Sequence, residues 1–104
     1  MIKTLPRDSA EYFEILGKSD TVSMRSGMVT LAPGQDVGAH STENYEELLI
    51  VLDGAGELNA AGSAVSIRKG QVAYNQPRTI HNVKNTGTIP LRYIYVVAKA
   101  VEGQ

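Results

Sequence analysis

Three residues of this chain carry side chains that together are suited to hold a metal ion: His40, Glu47 and His81. The 104 residues include two histidines and no cysteine, so a transition-metal site must use imidazole, carboxylate or neutral oxygen ligands. Glu47 opens the most apolar run of the sequence, where a carboxylate is costly to bury unless it is paired or metal-bound. Two imidazoles and one carboxylate are a usual ligand set for non-haem Fe(II), and with an open position they also serve catalytic Zn²⁺.

The alternation of side chains along a strand decides which of these groups can meet, because successive side chains point to opposite faces. If the chain around His40 is extended, His40 shares a face with Thr42. Pairing of this segment with the strand that carries His81 would bring the two imidazoles together. Alternation does not choose between Glu46 and Glu47, since apolar residues follow both of them.

The elements that must position these residues are short strands. From Met24 onward, apolar or β-branched runs alternate with turn residues such as Pro33-Gly34, Asp53-Gly54 and Lys69-Gly70. Several turns lie about eight residues apart, which is typical of an all-β sandwich or barrel and leaves no room for the crossover helices of a parallel sheet. We predict strands over six ranges: 26–31, 46–52, 64–68, 71–75, 80–84 and 91–98.

The first 21 residues fit two structures. Asp8 followed by Glu11 forms a possible capping box for one helical turn. Tyr12 and Phe13, with the apolar residues that follow them, would serve equally well as an edge strand. The sequence leaves both alternatives open.

Two sequence motifs resemble those of the cupin superfamily. The segment Gly34-x₅-His40-x-Thr42-x₄-Glu47-x₆-Gly54 resembles the first cupin motif. The segment from Gly70 through His81-x₃-Asn85 resembles the second, and 15 residues separate the two motifs. Either motif alone would be weak, but two in order and with correct spacing are fairly specific. The six-residue spacing to Gly54 favours Glu47 over Glu46 as the motif carboxylate.

The resemblance covers about residues 22–98 and implies an all-β double-stranded β-helix, or jelly-roll, barrel of short antiparallel strands. Residues 1–104 would form one cupin domain, with residues 1–21 as an edge strand or a dimer arm. One divalent transition metal, Fe, Mn, Ni or Zn, would lie in the barrel, bound by His40, Glu47 and His81.

The chain departs from the family pattern at two places. Thr42 stands where the first motif has its second histidine, and a neutral hydroxyl is a poor ligand for a transition metal. Gln76-Pro77-Arg78 replaces a Pro-x-Gly turn and would put a guanidinium near the barrel mouth, where it could pair with a carboxylate or phosphate. Tyr74, Tyr93 and Tyr95 could also line a cavity and donate hydrogen bonds to a ligand, although a tyrosine in a strand is more often part of the core. The additional lining residues that we expect are Thr42, Tyr74 and Arg78.

Two classes of function fit these residues. The first is a metal enzyme that acts on a small metabolite by dioxygenase or isomerase/lyase chemistry. The alternative is a non-catalytic small-ligand-binding module with a weakened or absent metal site, because the fold hosts enzymes and binding proteins alike. The catalytic residues are not identifiable from the sequence.

Composition limits the partners. The formal net charge is −1 and no cluster of Lys and Arg occurs, so nucleic acid is not an expected partner. No apolar run reaches the length of a signal-peptide core or a membrane span, which makes the cytoplasm the expected location. In the predicted strand 46–52, every residue after the two glutamates is apolar, so both faces of the strand are apolar. The face that points away from the interior therefore needs a second layer to cover it. The N-terminal segment or a second copy of the chain could cover it, and we favour the homodimer.

Overall fold

The fold described here comes from a computed structural model, which describes residues 1–6 and 11–100. Asp8 of the possible capping box lies outside the described residues. The described part consists of nine strands and contains no helix that is long and apolar enough to cross a membrane. The strands are β1 (Tyr12–Leu16), β2 (Met24–Leu31), β3 (His40–Ser41), β4 (Tyr45–Asp53), β5 (Ala55–Ala60), β6 (Ser63–Arg68), β7 (Val72–Asn75), β8 (Ile80–Lys84) and β9 (Leu91–Lys99).

These strands form two antiparallel sheets. The larger sheet has the order β1-β2-β9-β4-β7, and the smaller one has the order β3-β8-β5-β6. The all-β jelly-roll arrangement is therefore confirmed. The expectation of a closed barrel needs a correction, because neither sheet closes on itself and no strand pairing joins β6 to β7 among the described residues.

All six predicted strands are present, with ends that differ from the predicted ranges by two residues or fewer. β1 settles the choice at the N-terminus in favour of an edge strand, since it pairs with β2 alone. β5 was not predicted, because its sequence Ala-Gly-Glu-Leu-Asn-Ala is poor in strand-forming residues. Tertiary pairing overrides that local preference, since β6 and β8 hold β5 from both sides.

β5 also shows why its glycine is needed. A Cβ at Gly56 would lie 2.4 Å from the carbonyl oxygen of Lys84 and 2.7 Å from Cδ2 of Leu91. Only a residue without a side chain allows β5 to approach β8 and the side chain of Leu91 this closely. Glycine at this position is therefore a steric requirement of the packing around β5, which the local sequence pattern does not reveal.

The interior lies between the two sheets. On β4, Leu49 and Val51 are buried with 1% and 2% of their surface exposed, whereas Leu48 on the opposite face is 38% exposed. The predicted alternation of this strand is confirmed. A buried cluster fills one half of the space between the sheets, formed by Leu31, Leu49, Val51, Leu58, Ile67, Val83, Leu91 and Tyr93.

Candidate metal centre and ligand cavity

The two histidines come together through the pairing of β3 with β8. His40 and His81 lie directly opposite each other in the antiparallel register. Their ring centroids are 4.3 Å apart, and the ring planes are inclined by 58°. The side chain of His81 is buried, whereas His40 is exposed at the edge of the sheet.

Glu47 reaches the same place from the opposite sheet. Its Oε1 lies 3.0 Å from Nε2 of His81 and accepts a hydrogen bond of 3.1 Å from Nδ2 of Asn75 on β7. The side chains of Glu47 and His81 are only 9% and 2% exposed. Glu46 points to the outer face, where it accepts a hydrogen bond from the hydroxyl of Tyr74. The structure thus places Glu47, and not Glu46, beside the histidines.

Backbone carbonyls orient both imidazole rings. Nδ1 of His40 lies 2.9 Å from the carbonyl oxygen of Gly38, and Nδ1 of His81 lies 3.3 Å from that of Thr79. A carbonyl only accepts hydrogen bonds, so each Nδ1 is the protonated nitrogen. In the neutral ring the lone pair is then on Nε2, which is the arrangement that metal-ligating histidines usually adopt.

The pairing with Glu47 changes the protonation of His81. The hydrogen bond to the carboxylate and the nearby negative charge raise the pKa of His81, against burial, which acts to lower it. When His81 is protonated, its Nε2–H donates to Oε1 of Glu47 in a buried, charge-assisted hydrogen bond. A metal ion would have to displace the proton from His81, because the ligand form of histidine is neutral.

The donor types fit a divalent transition ion, but the three side chains are not gathered around a common point. Within residues 1–6 and 11–100, no group of three His, Asp or Glu side chains lies at metal-ligand separation. Glu47 and His81 are hydrogen-bonded to each other, and His40 lies beside this pair. Binding of an ion by all three would require the side chains to rearrange.

Thr42 has a structural task. Its hydroxyl donates a hydrogen bond of 2.7 Å to the carbonyl oxygen of Gln76 and accepts one of 3.0 Å from the backbone N–H of Thr79. The side chain is 8% exposed. It therefore joins the loop before β4 to the loop between β7 and β8, and its hydroxyl is engaged in these two bonds.

A cavity of about 550 Å³ opens beside the histidines and Glu47. Its apolar wall consists of Val29, Val37, Leu49, Val83 and Val97, and three tyrosines, Tyr45, Tyr93 and Tyr95, add hydroxyl groups. The polar lining also includes Arg25, Ser41, Thr42, Glu43 and Asn44. Burial raises the pKa of Tyr93 and of Tyr95, so both phenols stay protonated at neutral pH. The cavity has the size and mixed lining of a small-molecule site.

Two of the three expected additional lining residues lie elsewhere. Tyr74 is 57% exposed on the outer face of the larger sheet, because its parity on β7 is opposite to that of Asn75. Arg78 is exposed in the loop after β7, where its backbone N–H donates to the carbonyl oxygen of Glu43 at 2.7 Å. Neither side chain belongs to the described lining of the cavity. Thr42 does belong to it.

Arg25 lines the cavity but was not predicted from the sequence to do so. Arg25 lies on β2 with the parity of Val29 and Leu31, and its Nη2 donates a hydrogen bond of 2.6 Å to the hydroxyl of Tyr45. The signal available in the sequence was the position of Arg25, an even number of residues before the apolar Val29 and Leu31, which puts all three on the same face of the strand. The strand prediction began at residue 26 and excluded it.

The sequence from residue 27 to residue 97 matches the model of the cupin domain family, so the chain belongs to the cupin family. It is 33% identical over 67 residues to an oxalate-binding protein of Thermotoga maritima; the match covers 64% of this chain and 55% of that protein. It is also 29% identical over 55 residues to an uncharacterized protein of Methanocaldococcus jannaschii, covering 53% and 44% of the two chains. The chain thus spans about half the length of the curated relatives it matches.

Solved structures show the same fold. A crystal structure of a Thermotoga maritima protein described as a predicted oxalate decarboxylase superposes with a TM-score of 0.70 at 29% identity, covering 72% of this chain and 65% of that one. A cupin protein of Bacteroides fragilis superposes with a TM-score of 0.85 at 19% identity, covering 100% of this chain and 87% of that one. The second similarity establishes the fold alone.

Proposed function

We propose that this chain is a small-molecule-binding cupin that holds one divalent transition metal, Fe, Mn, Ni or Zn, through His40, Glu47 and His81. The observation that carries the proposal is the contact of 3.0 Å between Nε2 of His81 and Oε1 of Glu47 in the wall of a 550 Å³ cavity, with the ring of His40 alongside. In this proposal the protein acts on a small metabolite by dioxygenase or isomerase/lyase chemistry.

When bound, such an ion supplies Lewis-acid polarisation of a carbonyl or enediol oxygen or, as Fe(II), oxygenase chemistry. The protein's own residues shape the site around it. Asn75 holds the carboxylate of Glu47 in place by a hydrogen bond. The carbonyl oxygens of Gly38 and Thr79 accept hydrogen bonds from the Nδ1 atoms of the two histidines and so fix the orientation of the imidazole rings. The valine side chains of the wall make part of the cavity lining apolar.

A second candidate is a binding module that captures a small ligand without a metal. Two observations favour it: Glu47 and His81 already satisfy each other, and the hydroxyl of Thr42 is fully engaged. The matched Thermotoga maritima protein is described as oxalate-binding, which supports a small carboxylate as ligand under either candidate.

Metal content after anaerobic reconstitution separates the two candidates. Purified, tag-free protein is loaded in turn with Fe(II), Mn(II), Ni(II) and Zn(II), and bound metal is measured by mass spectrometry. We expect about one equivalent of metal in the wild type and at least a tenfold loss of metal affinity in Glu47→Gln. Loss of a residue that only hydrogen-bonds to a metal ligand typically lowers affinity about tenfold or more, and loss of the ligand itself should lower it at least as much.

Glu46→Gln is the matched control, because it makes the same change one residue away on the opposite face of β4. It should retain full metal content. Equal metal in Glu47→Gln and the wild type would contradict the proposed site. A folded wild type that takes up none of the four ions, but still binds small carboxylates, would establish the second candidate.

We further propose that the chain forms a homodimer through the outer face of its larger sheet. Leu48, Val72 and Tyr74 on that face are 38%, 65% and 57% exposed, and a contiguous exposed apolar face is unusual for a monomer. Light scattering at micromolar concentration should give the mass of a dimer, and Leu48→Glu should give that of a monomer. Ile89→Glu, in a loop outside the sheets, is the control. A monomeric wild type would contradict the dimer.

A further inference from the structure

The register of the larger sheet puts a cation in the same row as Glu47. Arg25 of β2 pairs with Val97 of β9, and Val97 pairs with Glu47 of β4. All three residues line the cavity, so they lie on the inner face. Neighbouring strands are about 4.8 Å apart, which puts the Cα atoms of Arg25 and Glu47 roughly 10 Å apart across two strands.

The guanidinium of Arg25 is held at the mouth of the cavity. Nη2 donates a hydrogen bond of 2.6 Å to the hydroxyl of Tyr45, and Cζ lies 5.1 Å from the centroid of the Tyr45 ring. Tyr45 precedes Glu47 by two residues and therefore shares its face of β4. The contact with the ring thus turns the side chain of Arg25 from β2 toward the strand that carries Glu47.

This guanidinium has donors to spare. The ion pairs of the described residues are Lys69 with Asp53 and His81 with Glu47, and neither includes Arg25. An arginine has five N–H donors in a planar fork that matches a carboxylate. The acidic residues of the described lining are Glu47, which is occupied by His81 and Asn75, and the exposed Glu43 on the rim.

We propose that Arg25 is the anchor for the carboxylate of a small organic acid, and that the rest of the ligand extends from the mouth toward His40 and His81. The cavity of about 550 Å³ has room for a small acid, and titration with acids of different length measures which length fits. The inference rests on the ligand-binding part of the proposed function. It does not require that a metal is bound.

Calorimetric titration tests the anchor with oxalate, malonate, succinate and glutarate as probes. We expect at least one of them to bind the wild type with submillimolar affinity and to bind Arg25→Gln at least tenfold more weakly, because a charge-assisted, bidentate contact is lost. Arg25→Lys keeps the charge without the planar fork and should lie between them. The neutral diamides of the same acids should bind weakly and respond little to the change.

Arg78→Gln is the matched control. It removes a guanidinium from the loop after β7, where the sequence predicted the cation of the site. It should leave the affinity for the acid within twofold of the wild type. Equal affinity in Arg25→Gln and the wild type, or equal losses in Arg25→Gln and Arg78→Gln, would overturn the inference. So would a wild type that binds none of the four acids up to millimolar concentration.

The metal site is measured on the same variants. Arg25→Gln should retain the metal content of the wild type, since Arg25 is not a ligand in the proposed centre. Weaker binding of the acid with unchanged metal content in Arg25→Gln therefore supports Arg25 as the anchor, whatever the metal site does. If the wild type binds no metal, the titration with the acids still tests the role of Arg25.

Discussion

The two halves of the interior are built from the same strands but have opposite chemistry. On β4, Val51 extends into a half filled mostly with aliphatic side chains, whereas Glu47 enters a half with an open cavity, two imidazoles and three phenols. Leu49 lies at the boundary, since it packs in the buried cluster and also lines the cavity. The rows of the sheet explain the division. Leu31 pairs with Leu91 in the filled half, and Arg25 pairs with Val97 in the open half, six residues along the same ladder.

The difference teaches that one strand alternation serves both stability and ligand binding. Glu47, Leu49 and Val51 on the inner face of β4 are all buried. Glu47 is stabilised by specific hydrogen-bond partners, and the two aliphatic residues are stabilised by packing. The filled half should therefore respond to lost volume, and the open half to lost hydrogen bonds and charges.

The largest effect on stability should come from the filled half. Leu49→Ala removes buried methyl groups from a side chain that is 1% exposed and should lower the free energy of unfolding by about 2–5 kcal/mol. Leu48→Ala makes the same change one residue away, where the residue is 38% exposed in the single chain, and should cost roughly 1 kcal/mol or less at protein concentrations at which the chain is monomeric. Urea unfolding of both variants measures the contrast. Equal losses would mean that the outer face is as fully covered as the core.

An intermediate effect is expected at the rim of the open half. Thr42→Val keeps the shape of the side chain but leaves the carbonyl of Gln76 and the N–H of Thr79 without their partner, at a cost of about 1–3 kcal/mol. Thr42→Ser retains the hydroxyl and should lose less. Urea unfolding compares the two variants, and a serine variant as unstable as the valine variant would show that the hydroxyl bonds contribute little.

The smallest effect should be a pH dependence of stability in metal-free protein. Glu47 raises the folded-state pKa of His81 above the value of about 6.5 that an unperturbed histidine has in the unfolded chain. The folded state then binds the proton more tightly, so this contribution is complete below about pH 6.5 and is lost as pH rises through the raised pKa of His81. Denaturation midpoints measured from pH 5 to pH 9 should fall over that window.

Glu47→Gln tests the origin of this dependence. The variant removes the charge and the ionic hydrogen bond that raise the pKa of His81. Its stability should vary less over the same range of pH. An unchanged slope would assign the dependence to other groups.

Much of the fold and part of the site could be predicted from the sequence. Short apolar runs between turn residues predict the strands, and the spacing of the motif residues selects His40, Glu47 and His81. The structure brings all three to one end of the interior. β5 escaped prediction because Gly56 and its small or polar neighbours have low strand propensity, and only pairing with β6 and β8 makes a strand of them.

The sequence by itself determined the all-β class, the alternation of the strands and the family to which the chain belongs. Only the tertiary structure decided that Thr42 bonds to Gln76 and Thr79, that Tyr74 and Arg78 stay outside the cavity, and that Arg25 and Tyr45 meet at its mouth. The physical reason is that alternation fixes the face of each residue within its own strand. Which residues of different strands then lie side by side depends on the register between strands, and that register is a property of the whole fold.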